Sequence, residues 1–145
     1  MNRIETAVSR FAEGFNCSQA VLSVYAEELG LDESAALRIA SGFGGGMGRL
    51  GGTCGAATGA MMALGLRHGA ASADREAKER VYAQVVEFAR RFTARHGTIV
   101  CRELLGCDLS TPEGLQRAVD EKAFTTVCPK FVRDAVEILE EMESE

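Results

Sequence analysis

The stretch "GFGGGMGRLGGTCGAATGAMMALG", residues 42–65, decides the fold. Seven glycines occupy positions between 42 and 52, Cys54 follows, and a Gly/Ala-rich run comes next. Within it, Gly46-Met47-Gly48-Arg49-Leu50-Gly51 matches the GxGxxG pattern of dinucleotide-binding turns. That fingerprint works only with a strand before it and a helix after it in a βαβ unit. Here the preceding segment, capped by Asp32 and carrying Ala36, Leu37, Ile39 and Ala40, has helical spacing, and no strand is visible. The loop therefore reads as a flexible connection with positive-φ positions that covers Cys54 and is able to open. Its backbone N–H groups suit an anion or the sulfurs of a cluster. A helix is predicted from Thr53 to about His68, stopped by Gly69.

The rest of the chain repeats this helical signal. Ile4, Ala7, Val8, Phe11 and Ala12 define a first helix ended by Gly14. Asn16 caps a second, with Gln19 as its capping-box partner, running through Leu29 to Gly30. A long helix spans about 73–96 and ends at Gly97. Thr98 caps a short helix over 99–105, and Ser110-Thr111-Pro112-Glu113 marks another start. The last helix opens at Cys128-Pro129, and its EEMESE end is expected to fray. With no period of two, the expectation is an all-α bundle of about six to eight helices, one domain over 1–145.

Composition narrows the function classes. The 145 residues are 46% hydrophobic but only 6% aromatic, without Trp, so the core must be aliphatic. A net charge of −5 and a pI near 5.2 argue against nucleic acid as a partner. No apolar run reaches the ~18 residues of a membrane span, and the amphipathic N-terminus lacks a signal-peptide core. A cytoplasmic location is expected, where thiols stay mostly reduced.

Five cysteines stand at 17, 54, 101, 107 and 128, with no CxxC and no CxxCH. Four fall at predicted helix starts: Cys17 after Asn16, Cys54 after Thr53, Cys101 in the turn after Thr98, and Cys128 at the cap before Pro129. A single free cysteine is most often a small buried hydrophobe. Four at helix N-termini point to thiolate chemistry, because free N–H groups and the helix dipole favour an anion and lower a thiol pKa. Spacing does not give the chemistry, since paired zinc ligands and ferredoxin runs are both absent. Gly55, Gly59 and Ala63 share one helix face, and the two glycines suggest close approach to another helix or to a bound group. That face can pack within the chain or across a homodimer. His68 and His96 read as C-terminal capping residues. Arg49, Arg102 and Lys130 are candidates to stabilise thiolates.

"FNCSQAV", "SGFGGGMGRLGGTCGAATGA", "CRELLGCDLS" and "CPKFVRDAVEIL" together resemble the C_GCAxxG_C_C family of redox-active proteins, with the CGAxxG signature at 54–59. The resemblance implies four recurrent cysteines: Cys17, Cys54, Cys128 and either Cys101 or Cys107. Cys101 is preferred, because it lies in a predicted first turn while Cys107 follows Gly106 in a connection. The chain is also similar to a module of split-Soret cytochrome c that lies beside haems and an iron–sulfur centre. Without CxxCH no covalent haem is implied. The expectation is one site near helix N-termini, built from Cys17, Cys54, Cys101 and Cys128 with Gly55 and Gly59 beside it. It would hold an iron–sulfur cluster or act as a thiol/disulfide relay with an unidentified redox partner. A zinc or metal-delivery module is the alternative.

Overall fold

The computed structural model describes residues 1–145 as helices and turns with no strand. Helix α1 (Arg3–Glu13) is capped by Asn2, whose side chain accepts from the Glu5 N–H, and ends at Gly14 with φ 116°. Helix α2 (Cys17–Ser23) has the expected capping box: Asn16 accepts from the Gln19 N–H while the Asn16 N–H donates to the Gln19 side chain. It is shorter than predicted. Past Ser23 the chain continues in turns, with Leu31 N–H donating back to Ala26 and Gly30 at φ 86°. Tertiary contacts replace the missing helical turns. Tyr25 is fully buried, its hydroxyl donates to Val136 O, and the Arg3 guanidinium lies 4.6 Å from its ring.

Helix α3 (Glu33–Ile39) follows, capped by Asp32, and a 3-10 turn over Ala40–Gly42 leads into the glycine loop. Helix α4 (Gly55–His68) ends against Gly69 as expected. Helix α5 (Arg75–His96) is capped by Asp74 and stopped by Gly97 at φ 86°. Helix α6 (Cys101–Leu105) starts two residues later than predicted, with Val100 rather than Thr98 as its cap. Thr98 accepts from the Val100 N–H instead, which shapes the turn before the helix. Helix α7 (Pro112–Asp120) has Thr111 accepting from the Gly114 N–H. A single turn, α8 (Ala123–Thr126), departs from Lys122 at φ 58° and precedes α9 (Cys128–Glu143). This extra turn carries no cap or period that sequence could reveal.

The end of α9 is more ordered than expected. Arginines of α5 lie opposite its carboxylates: Arg95 contacts Glu137 and Glu141, and Arg91 reaches Glu145 at 2.6 Å. Each exposed pair contributes only about 0–1 kcal/mol, but together they fix the register of the two helices. The main core holds 22 buried residues, mostly Ala, Val, Leu and Ile with Tyr25, Phe88, Phe92 and Phe131. Helix α4 lies inside it, against α2, α5 and α9. Its seven buried residues are Gly, Ala and Leu64, so it is thin enough to be surrounded.

Gly55, which opens α4, and Gly59 inside it explain how close its neighbour comes. A Cβ on Gly59 would lie 2.7 Å from Ser18 O, and one on Gly55 would lie 3.0 Å from Phe43 O and 3.2 Å from Cys17 Cβ. The small-residue face therefore packs within the chain, on α2. Gly65 on the same helix meets nothing within 4 Å. Gly59→Ala is expected to destabilise by about 1–3 kcal/mol, because backbone must move. Gly65→Ala is expected to stabilise by about 0.5–1 kcal/mol through helix propensity. Urea unfolding of the two variants checks both signs.

Candidate functional site

Four cysteines sit at the N-terminal ends of four different helices. Cys17, Cys101 and Cys128 are the first residues of α2, α6 and α9, and Cys54 is the cap of α4. Cys54 was expected in the first turn after a Thr53 cap, and Cys128 as a cap. Each is shifted by one position, because Thr53 is held in an isolated antiparallel bridge with Val100 and Val127, which closes α8, is the cap of α9.

That bridge sets half of the site. Cys54 N–H donates to Ile99 O at 2.7 Å and Cys101 N–H donates to Gly52 O at 2.6 Å, so the two cysteines flank the Thr53–Val100 pair. The α2–α4 contact sets the other half, through Gly55 against Cys17. Cys17, Cys54, Cys101 and Cys128 all line one cavity of about 1000 Å³. Gly55 lines it too. Gly59 does not line it and packs against Ser18. Cys107 does not line the cavity; it is buried in a satellite cluster with Leu109, Ala118 and Ala123, and its sulfur donates to Leu105 O at 3.4 Å. Cys101 belongs to that satellite cluster as well as to the cavity wall.

The glycine loop covering this cavity is closed by its own backbone hydrogen bonds. Five consecutive residues from Gly45 to Arg49 have φ between 58° and 70°. The N–H groups of Gly48, Gly51 and Gly52 donate to the carbonyls of Gly42, Gly45 and Gly46. Glycine makes such a left-handed run accessible, whereas Met47 and Arg49 each carry a cost of about 1–2 kcal/mol. The loop also lies tightly on the site. A Cβ at Gly46 would stand 2.7 Å from Cys101 Cβ, and one at Gly44 would stand 2.7 Å from Asn16 Cβ.

The electrostatics differ from the expectation that helix starts depress every thiol. Burial pushes Cys54 up to about 11, and the amides of Ala56 and Ala57 act only partly against it. Burial, then the neighbouring thiols, push Cys101 up to about 12. Cys17 is raised well above the ordinary value, first by its hydrogen bond to Cys128 and then by burial. Cys128 alone is lowered, by the same hydrogen bond from Cys17. These thiols are set by burial and by one another, not by Arg49, Arg102 or Lys130. Helices α2 and α6, of seven and five residues, are too short for a strong dipole to overcome desolvation.

All five cysteines are free. The donor types suit a thiolate-held iron–sulfur cluster or zinc. However, no group of three or more His, Cys, Asp or Glu side chains is drawn close enough to hold a metal ion. His68 and His96 lie outside the cavity lining. His96 Nε2 is 2.8 Å from Asp134 Oδ2. His68 was expected to be favoured as a cation, but burial and then Arg67 and Arg80 lower its pKa. Sequence reasoning missed the cavity's apolar wall, including Leu104, Phe124 and Phe131, because helical periodicity marks these only as core.

No helix is long and apolar enough to cross a membrane. A family model described as "Putative redox-active protein (C_GCAxxG_C_C)" matches residues 15–142. Comparisons with curated proteins and with solved structures give no match.

The raised thiols make stability depend on alkaline pH. Between the ordinary thiol value of 9.0 and about 11, Cys54 keeps its proton when folded but loses it when unfolded. The unfolded state then binds fewer protons, so stability falls as pH rises, by up to about 1.4 kcal/mol per pH unit. Cys54→Ala is expected to flatten that fall relative to wild type, measured by urea unfolding from pH 8 to 11.

Proposed function

We propose that this chain, which belongs to the C_GCAxxG_C_C family of redox-active proteins, works as a thiol–disulfide couple centred on Cys17 and Cys128. The observation carrying this reading is that Cys17 and Cys128, the first residues of α2 and α9, line one cavity with Cys54 and Cys101, and the two thiols shift each other's pKa in opposite directions. Two neighbouring thiols of this kind are the reduced half of a dithiol/disulfide pair. Cys128, held below the ordinary thiol value, supplies the thiolate, which is the attacking form. Its position opening the 16-residue α9 places backbone N–H groups and the dipole beside that charge.

The chemistry balances with a partner disulfide RSSR as oxidant. The Cys128 sulfur attacks one sulfur of RSSR, forming a mixed disulfide and releasing RS⁻. The Cys17 sulfur then attacks the Cys128 sulfur, closing Cys17–S–S–Cys128 and releasing the second RS⁻. Two protons leave the cysteines and two electrons pass to the partner, giving two RSH. Cys54 and Cys101, held protonated by burial, are slow to attack and act as reserve thiols in the same cavity. An iron–sulfur cluster held by all four cysteines is the second reading, favoured by their lining one cavity.

Protein purified without oxygen separates these readings. Redox titration with mapping of disulfides by mass spectrometry is expected to show a reversible Cys17–Cys128 bond. Cys128→Ser is expected to abolish that bond, while Cys107→Ser leaves it intact. Stoichiometric iron and sulfide in the anaerobic protein would install the cluster reading instead. Thiols that stay unreactive over the whole titration would remove the relay.

A further inference from the structure

The walls of the cysteine cavity carry more information than the thiols do. In a chain with 21 acidic side chains, not one Asp or Glu lines it. The sole charged side chain on its wall is Arg49. Every carboxylate ion pair in the molecule is made by another cation, so Arg49 has no acidic partner. Its position is costly, since it sits at φ 64° where glycine would be unstrained. The left-handed loop holds it there, with the Arg49 N–H donating to Gly44 O at 3.1 Å. The remaining wall is largely apolar: Val8 and Phe11 from α1, Phe15, Leu104, Phe124 and Phe131. A volume of about 1000 Å³ is at the upper end of small-molecule pockets.

We infer that the substrate of this site is a small organic disulfide with an apolar body and an anionic group, which Arg49 receives while the disulfide meets Cys128. This rests on the dithiol reading above and adds the chemical class of RSSR. The apolar wall buries the body of the molecule. The unpaired guanidinium takes the carboxylate, an interaction undiminished by competing acids on the same wall. The step remains the balanced exchange: one S–S bond of the substrate is broken, the Cys17–Cys128 S–S bond is formed, and two substrate thiols leave. The net charge of −5 opposes anions at long range, so a preference for an anionic disulfide would have to arise locally.

Stopped-flow oxidation of the reduced protein by three disulfides tests this: the dicarboxylate 5,5′-dithiobis(2-nitrobenzoate), the neutral 2,2′-dithiodipyridine and the cationic cystamine. Each rate is divided by that of the same reagent with a free small thiol. The expected result is a dicarboxylate rate about tenfold above the other two. Arg49→Gln should lose that advantage, Arg49→Lys should keep most of it, and both should leave the neutral rate unchanged. Equal normalised rates, or an Arg49→Gln variant that keeps the preference, overturn the substrate class while the dithiol stands. If no disulfide oxidises the protein, the dithiol reading falls. Calorimetry with unreactive 4-nitrobenzoate then judges the anion site alone: binding by wild type and tenfold weaker binding by Arg49→Gln uphold it, and equal or absent binding overturns it.

Discussion

The structure depends on how closely α4 approaches α2. Ser18 O occupies the space where a Cβ on Gly59 would stand, and Cys17 and Phe43 crowd the same space at Gly55. Two glycines in a helix are each unfavourable by about 0.5–1 kcal/mol relative to alanine. Burying a fully packed helix face offsets this, because α4 then sits at the centre of a 22-residue core. The same approach brings the cap of α4 beside the first residue of α2, which are Cys54 and Cys17. Packing and chemistry are thus one constraint here, and a side chain at Gly55 would disturb both.

The glycine loop completes what the helices begin. Having no strand to lead it, it adopts a left-handed turn closed by its own backbone hydrogen bonds. Its end pairs with residues 99–102, and that pairing carries Cys101 to the cavity next to Cys54. A GxGxxG pattern is consequently used to place a thiol wall and one arginine. Cys128 arrives by a separate route, after the single turn α8, and joins Cys17 on the cavity wall. Helix N-termini converge on the thiols from several directions, yet burial raises Cys54 and Cys101, and Cys17 is raised first by Cys128 and then by burial, so that only Cys128 is lowered.

Local signals were readable wherever a side chain acts on its own backbone. Asn16 with Gln19, Asp32, Thr111 before Pro112, and the stops at Gly14 and Gly97 all fall where spacing and caps put them. Errors appear where distant parts of the chain intervene. Tyr25 ends α2 early through contacts with Arg3 and Val136, and the Thr53–Val100 bridge moves two helix starts. The end of α9 is ordered by arginines of α5, which lie some fifty residues away in the chain.

The sequence by itself determined an all-α chain, the order of most helices, the family and the four cysteines at helix starts. Those follow from periodicity, caps and motif, which act over a few residues. Tertiary structure alone decided that Cys17, Cys54, Cys101 and Cys128 share one cavity wall, while Cys107 lies in a satellite cluster. It also decided that Arg49 is the sole charged residue on that wall. The physical reason is that burial, mutual repulsion and hydrogen bonding between sulfurs depend on through-space distance. No spacing along the chain encodes that distance until α2, α4 and the glycine loop have closed on one another.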